Sequence, residues 1–447
     1  MTKCNRLITQ IGTLLICSIF AAGSVFAQDD QEDDQKTKQA QAVSKEFFDR
    51  IQKAQELVDA DNHQEALDVL AGLRTRKGIT EYETQQVLNY IGFVKYNLDD
   101  FDGAMAAYEE MIAIPSIEPQ ILKNTLYTMA QLSTVQEKYD EALNYLDQYF
   151  ELETNPAPMN YILLAQNLYQ VQRYNDMVEP IETAISEAQR REMEVREDWY
   201  VLLNFAYFQQ EDYAKVRDIQ KILLANWPKK GYWFSLAGAY TELGEEQNLV
   251  AAYDAAYTQG MFEKESEYVT MAQLFMQAEV PYKAATLLQE QMDAGMVEKN
   301  ARNYRLLSQA LTLASEDEQS IPALVEAARL SDEGELNLRL GNAHLNLGNY
   351  EECVAAIKDG LRKGGIQSPD NAQISLGMCH YNLKQYDDAL AAFREASKTQ
   401  RSARFARQWT AVIESDLERN RQIRLAENSA RKQQEELASR RRTAERI

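Results

Sequence analysis

Of the three histidines and four cysteines in this chain of 447 residues, four fall close together: His344, Cys353, Cys379 and His380. Imidazole nitrogens and thiolates are the donors of a tetrahedral zinc site, which needs four of them converging at about 2.0–2.3 Å. Two thiols are also what a disulfide needs. Other chemistry is scarce: there is no Gly-rich phosphate loop, no His-Glu-x-x-His and no Gly-x-Ser-x-Gly. His63 is the only further imidazole, which leaves few candidates for a general acid or base. Carboxylate pairs abound, but in so acidic a chain they read as solvated faces. The expectation is a protein without catalytic residues, cofactor or metal. What the four clustered residues do depends on the elements that carry them.

Those elements repeat. LGNAHLNLGNYEECVAAIKDG from Leu340 and LGMCHYNLKQYDDALAAFREA from Leu376 align position by position, as do IGFVKYNLDDFDGAMAAYEEM from Ile91 and MAQLSTVQEKYDEALNYLDQY from Met129. Each has a small residue, a large one three on, a polar turn, then Ala and another large residue. Small residues at the first position and twelve later, as in Gly92 with Ala104, Ala130 with Ala142 and Gly377 with Ala389, let two antiparallel helices approach closely. Tyr108 and Phe393 fill the space beside them. Turns such as NLDDFD and NLGNYE are too short for anything but a helical hairpin. In this frame Gly341 and Gly377 are equivalent, His344 and His380 both stand three residues on, and Cys353 stands at a small-residue position. Packing slots, with each imidazole finding a local partner, become the expected role. Cys379 falls near the seam between these two units, and an oxidising compartment would permit a Cys353–Cys379 disulfide.

The unit resembles the tetratricopeptide repeat. Its Gly-equivalent position falls at Ala54, Gly92, Ala130, Ala165, Asn204, Ala237, Ala272, Ser308, Gly341 and Gly377, in steps of 33 to 39 residues, around the family period of 34. Two copies depart from the pattern: twelve residues after Asn204 and Ser308 stand Val216 and Ser320 instead of Ala. The resemblance implies an all-α fold, a right-handed superhelical solenoid of about ten antiparallel helix pairs over residues 44–398. It also implies a concave groove lined by the first helix of each pair. Carried onto this sequence, the groove candidates are Phe93, Tyr96, Tyr127, Gln131, Gln166, Tyr169, Phe205, Phe208, Gln273, Met276, Asn342 and Tyr381, with Ile162, Val269 and Leu338 one turn earlier on their helices. Amides interleaved with rings and thioethers suit a bound peptide or helix. Only Arg305 supplies a cation at these positions, which argues against a clamp for a partner's terminal carboxylates.

The flanks bound the compartment and the partner. Lys3 and Arg6, an apolar run from Leu7 to Ala22 and Val25-Phe26-Ala27 have the layout of a signal peptide cleaved after Ala27. Ile16 before Cys17 stands where lipid attachment needs a small residue. No Asn-x-Ser/Thr sequon is present. The expected location is the periplasm. Residues 28–43 are almost all charge and amide and read as a disordered lead-in. Over 399–418, Phe405, Trp409, Val412 and Ile413 stand at helical spacing, as for a capping helix whose apolar side faces the last repeat. Residues 419–447 form a helical or disordered tail with nine Lys/Arg against four Glu, so that within the net charge of −22 the tail is +5 and the rest −27. The body therefore repels nucleic acid, whereas the tail can touch an anionic lipid surface or acidic partner. The whole layout is similar to periplasmic tetratricopeptide proteins that accompany TonB, ExbB and ExbD systems of gammaproteobacteria. That similarity implies an adaptor or scaffold supporting TonB-dependent transport, with envelope or TonB-system proteins as partners. A scaffold for outer-membrane, cell-wall or secretion assembly is the alternative, and a glycan or small-ligand binder a third.

Overall fold

The computed structural model describes residues 44–444, with side chains to residue 438; the expected signal peptide and lead-in lie outside the described residues. Two compact units divide at Leu132. In the first, α1 (Lys45–Asp59) pairs with α2 (His63–Arg74) and α3 (Glu81–Asn97) with α4 (Phe101–Ile112); α5 (Pro119–Val135) spans the division. The second continues with α6 (Tyr139–Leu152), then α7 (Pro158–Gln170) with α8 (Val178–Arg190), α9 (Glu197–Gln209) with α10 (Tyr213–Asn226), and α11 (Lys230–Glu242) with α12 (Glu246–Thr258). It goes on through α13 (Glu265–Gln277) with α14 (Pro281–Asp293), α15 (Ala301–Leu313) with α16 (Asp317–Leu330), α17 (Glu335–Leu347) with α18 (Tyr350–Lys363), and α19 (Pro369–Asn382) with α20 (Tyr386–Ala396). A single helix, α21 (Gln400–Ala444), ends the described chain. Within each unit a helix packs on its neighbours in sequence, the arrangement of an all-helical repeat solenoid.

Side-chain caps start several helices. Thr80 accepts from the Glu83 amide while the Glu83 carboxylate accepts from the Thr80 amide at 3.0 Å, a reciprocal capping box at the head of α3. Burial would raise the Glu83 pKa, but amide hydrogen bonds from Thr80 and Ser44 and the Arg76 guanidinium at 2.9 Å hold it below the usual range. The first and second helices of each pair are joined through one residue in the left-handed region, from Asp61 to Lys384, with φ between +57° and +80°. Only Gly244 and Gly348 among these ten are glycines; the others are Asp, Glu, Gln, Ser and Lys.

Between those turns the small residues act as expected of close packing. Gly92, Ala104, Ala130, Ala142, Gly341, Cys353, Gly377 and Ala389 are all buried, as are Tyr108 and Phe393. A methyl group added at Gly92 would stand 2.6 Å from the Tyr108 ring, and one at Gly377 2.8 Å from Phe393. Val216 and Ser320 are buried too, Ser320 by donating its hydroxyl to the Asp317 carbonyl at 2.7 Å. The long step between Ala165 and Asn204 is taken up by a 3-10 turn, Tyr174–Met177, placed before α8. Arg191, just after α8, is tied to the α6–α7 loop, donating to the Asn155 side chain and the Pro156 carbonyl, each at 2.7 Å.

The C-terminus departs from expectation in two ways. No break separates a cap at 399–418 from a tail, since α21 runs through both as one helix of 45 residues. And of the four apolar residues expected to face the last pair, only Trp409 and Ile413 do: Trp409 stacks on Phe393 with 5.8 Å between ring centres, and Ile413 is buried. Phe405 and Val412 lie on another face, 41% and 45% exposed. The base of α21 is held by Asp370 at the start of α19, whose carboxylate accepts from the Ser402 hydroxyl and from Arg401 at 3.0 Å.

Candidate protein-binding surface

His344 on α17, Cys353 on α18 and the pair Cys379 and His380 on α19 come together as the packing frame requires, and no metal centre results. Cys353 and Cys379 form a disulfide between α18 and α19, with Cα atoms 6.3 Å apart and both residues fully buried. Both sulfurs are thereby bonded to each other, leaving no thiolate to ligate. His380 finds its local partner in Gln385, Nδ1 to Oε1 at 2.6 Å. His344 does not: its buried Nδ1 meets no hydrogen-bonding atom. Burial pulls the His344 pKa below its ordinary value against the opposing charge of Glu352, so the ring is neutral at neutral pH. Among the described residues no grouping of three or more His, Cys, Asp or Glu could hold a metal ion.

The groove candidates divide by unit. In the first, Phe93 and Tyr96 on α3 and Tyr127 and Gln131 on α5 are half-buried, and the Tyr96 ring lies 5.8 Å from Phe101. In the second, Gln166 and Tyr169 on α7, Phe205 on α9, Met276 on α13 and Asn342 on α17 are half-buried, whereas Phe208 and Gln273 are exposed, Phe208 by 52%. Tyr169, Tyr174 and Phe205 meet edge-to-face or tilted, with ring centres 5.1–5.9 Å apart, so this trio bridges α7 and α9 and spends part of its area on packing. Ile162, Val269 and Leu338 are buried core residues and not groove residues, because one turn before the small residue the helix still faces its neighbours. Tyr381 is also engaged: its hydroxyl donates to Asp416 at 2.8 Å and its ring meets Trp409 edge-on at 5.1 Å. The base of α21 thus covers this groove candidate on α19. The Asp416 hydrogen bond, followed by burial, raises the Tyr381 pKa, so it stays a neutral donor.

A further opening was not foreseen. A cleft of about 300 Å³ lies over α7 between α6 and α8, lined by Leu143, Asp147 and Phe150, by Tyr161, Leu164 and Leu168, and by Arg173, Asp176, Glu179, Pro180 and Thr183. Its floor is the stacked pair Phe150 and Tyr161, 5.0 Å between ring centres, and Arg173 is paired with Asp176 at 2.7 Å. These residues come from two second helices, one first helix and the turn between α7 and α8, so a search confined to first-helix positions passes over most of them.

Residues 338–403 match the tetratricopeptide repeat family. Curated proteins offer no match. Among solved structures, a tetratricopeptide repeat protein from Parabacteroides merdae is 16% identical, covering 60% of this chain and 100% of that one at a TM-score of 0.35. YrrB, described as a tetratricopeptide protein with an unusual peptide-binding site, is 17% identical over 43% of this chain and 96% of its own, with a TM-score of 0.35. The repeat-containing region of yeast Sti1 in its Hsp90 complex is 14% identical over 59% and 98%, with a TM-score of 0.33. Residues 338–403 are thus similar to the tetratricopeptide repeat, and the same small-residue positions are buried in the helix pairs that precede them.

Proposed function

We propose that this chain is an exported scaffold that binds segments of other proteins along the first helices of its repeats. The observation that carries the reading is the set of amide, aromatic and thioether side chains at equivalent positions of α7, α9 and α13: Gln166 and Tyr169, Phe205 and Phe208, Gln273 and Met276. Amides can both donate to and accept from a partner's backbone, and the exposed Phe208 offers an apolar anchor. YrrB and Sti1, named above with a peptide site and a bound partner, are in keeping with this use of the fold. The buried disulfide supports an oxidising location, since such bonds persist in periplasmic and secreted proteins. Within that location the whole-chain similarity favours TonB-dependent transport complexes as the setting, with envelope assembly machinery as the second choice.

The test is affinity capture from envelope extract with the chain from residue 28 as bait, beside the variant Gln166→Ala/Phe208→Ala/Gln273→Ala. A protein retained by the first and at least about tenfold less by the second supports the groove, and its identity as a TonB, ExbB or ExbD component supports the finer setting. Equal retention by both would remove the groove. Retention of cell-wall or secretion proteins alone would replace the TonB setting with the second choice.

A further inference from the structure

His344 and His380, three residues after Gly341 and Gly377, occupy the same slot of successive helix pairs, and only one of them is provided for. His344 is 8% and His380 3% exposed. Leu168, Tyr207, Tyr240, Phe275 and Leu311 hold this slot in other pairs and are buried too, so the slot itself takes an apolar or aromatic side chain. An imidazole placed there needs a partner for its Nδ1. The turn that follows decides whether it has one. Five residues after each histidine stands the N-cap of the second helix, Asn349 before α18 and Gln385 before α20. The backbone is the same at both: φ and ψ are −83° and 72° at Asn349 and −87° and 68° at Gln385, and each amide donates to the carbonyl of its own histidine at 2.9 Å. The side chains differ by one methylene. Gln385 reaches His380 Nδ1 at 2.6 Å, and its oxygen can accept from the neutral and from the protonated ring. Asn349 falls short, and His344 Nδ1 is buried without a partner.

The surroundings do not make up the difference. A methyl group at Gly341 would run into Ile357, so α17 and α18 cannot close further and bring Asn349 nearer. The neighbouring helices present apolar residues: Leu324, Ala327 and Ala328 of α16 pack with Leu336 and Leu340, and Ala372, Leu376 and Cys379 of α19 with Leu338. Among the described residues the one charge that acts on the ring is Glu352 of α18, an exposed carboxylate that favours protonation less than burial opposes it. A proton on the closed pair would therefore place a positive charge and an unanswered N–H in its interior. When the pair opens, the ring meets water and takes the proton at its ordinary pKa of about 6.5. The open form thus binds more protons than the closed one, so closure is fully favoured above about pH 6.5 and weakens as pH falls below it. In the next pair Gln385 gives a protonated His380 the acceptor that His344 lacks.

We propose that His344 makes the α17–α18 pair an acid-sensitive joint of the solenoid, closed at neutral pH and opened when the ring takes up a proton. The joint is independent of the groove reading. Its opening frees α18, the helix through which Cys353 bonds the last pair. The test is hydrogen–deuterium exchange of the chain from residue 28 at about pH 7.5 and 5.5, corrected for the intrinsic pH dependence of exchange. Protection of α17 and α18 should fall by up to about tenfold, the most that a group titrating near 6.5 gives one pH unit lower. Two variants isolate the ring. His344→Leu puts in the slot the residue that α7 and α15 carry there, and should abolish the fall. Asn349→Gln, a change at an exposed turn residue, should shrink it by giving the protonated ring an acceptor. Constant protection in the unaltered chain overturns the proposal, as does an equal fall in His344→Leu or an undiminished one in Asn349→Gln. A fall larger in α19 and α20 than in α17 and α18 would assign the response to His380 and overturn it too.

Discussion

Opening the Cys353–Cys379 bond should loosen the last two helix pairs and leave the earlier ones as they are. The bond closes a loop with a sequence separation of 26 residues. By the chain-entropy relation, a loop of that size removes about 3.5 kcal/mol of freedom from the unfolded state at 25 °C. In a solenoid each pair contacts its neighbours, so the loss stays near the bond. Opening of α18–α20 should therefore become about 400-fold more frequent, 1.36 kcal/mol corresponding to each factor of ten. Hydrogen–deuterium exchange of the oxidised and reduced chains reads this directly. Amides of α18 and α19 should exchange two to three orders of magnitude faster after reduction, while those of α7–α10 do not change. Cys353→Ala/Cys379→Ala should behave as the reduced chain does, because Ala is the residue the repeat otherwise carries at the first of these positions. Two free thiols in the denatured, unreduced chain would refute the reasoning at its root, and unchanged exchange after reduction would refute the magnitude.

Three other perturbations have directions fixed by the structure. Gly92→Ala gains helix propensity of up to about 1 kcal/mol but drives a methyl group to 2.6 Å from the buried Tyr108 ring, an overpacking cost of about 1–3 kcal/mol. Net destabilisation in urea unfolding is expected, and a gain in stability would mean that the ring yields freely. Glu279→Gly relieves a non-glycine residue at φ +59° and should stabilise its hairpin by about 0.5–1 kcal/mol, visible as slower exchange in α13 and α14. Hydrogen bonding from Ser402, and then Arg401 against the effect of burial, hold the Asp370 carboxyl below the usual carboxylate range. A carboxyl with a lowered folded pKa contributes its stability above the unfolded value of about 3.9 and loses it as pH falls through the folded one. The stability difference between the chain and Asp370→Asn should thus be full at pH 6 and shrink below about pH 4; a difference independent of pH would contradict the role given to this carboxylate.

Much of this protein was legible because its information is periodic. A small residue recurring at steps near 34, with Ala or Cys twelve later and a ring beyond it, admits few arrangements other than stacked hairpins, and phase alone turned His344, Cys353 and His380 from a possible centre into packing residues. The turns were legible only as turns. Eight of the ten left-handed residues are not glycine, so nothing in their chemistry announced the backbone conformation that the close approach of the flanking helices imposes. The exposure of the groove candidates was legible in part: Phe208 and Gln273 are exposed, whereas Ile162, Val269 and Leu338 are core and Tyr381 is taken by α21. Position in a repeat sets the helix face, but neighbours decide what covers it.

The same division runs through the C-terminus. Sequence alone determined that the chain is a helical repeat protein, that its surface is acidic, and that its last residues are basic and helix-prone. Tertiary structure decided which face of the last helix is used. Asp370 and Phe393 fix the rotation of α21 by holding Ser402 and Trp409, and because a continuous helix carries that rotation along its length, Phe405 and Val412 align with Ile423 and Leu437 on the uncovered side. Cys353 and Cys379 likewise belong to different helix pairs and become bonded only because two successive hairpins stack with α18 against α19. Periodicity specifies elements and their faces, while contacts between elements, which depend on several side chains fitting at once, specify the register in which those faces meet.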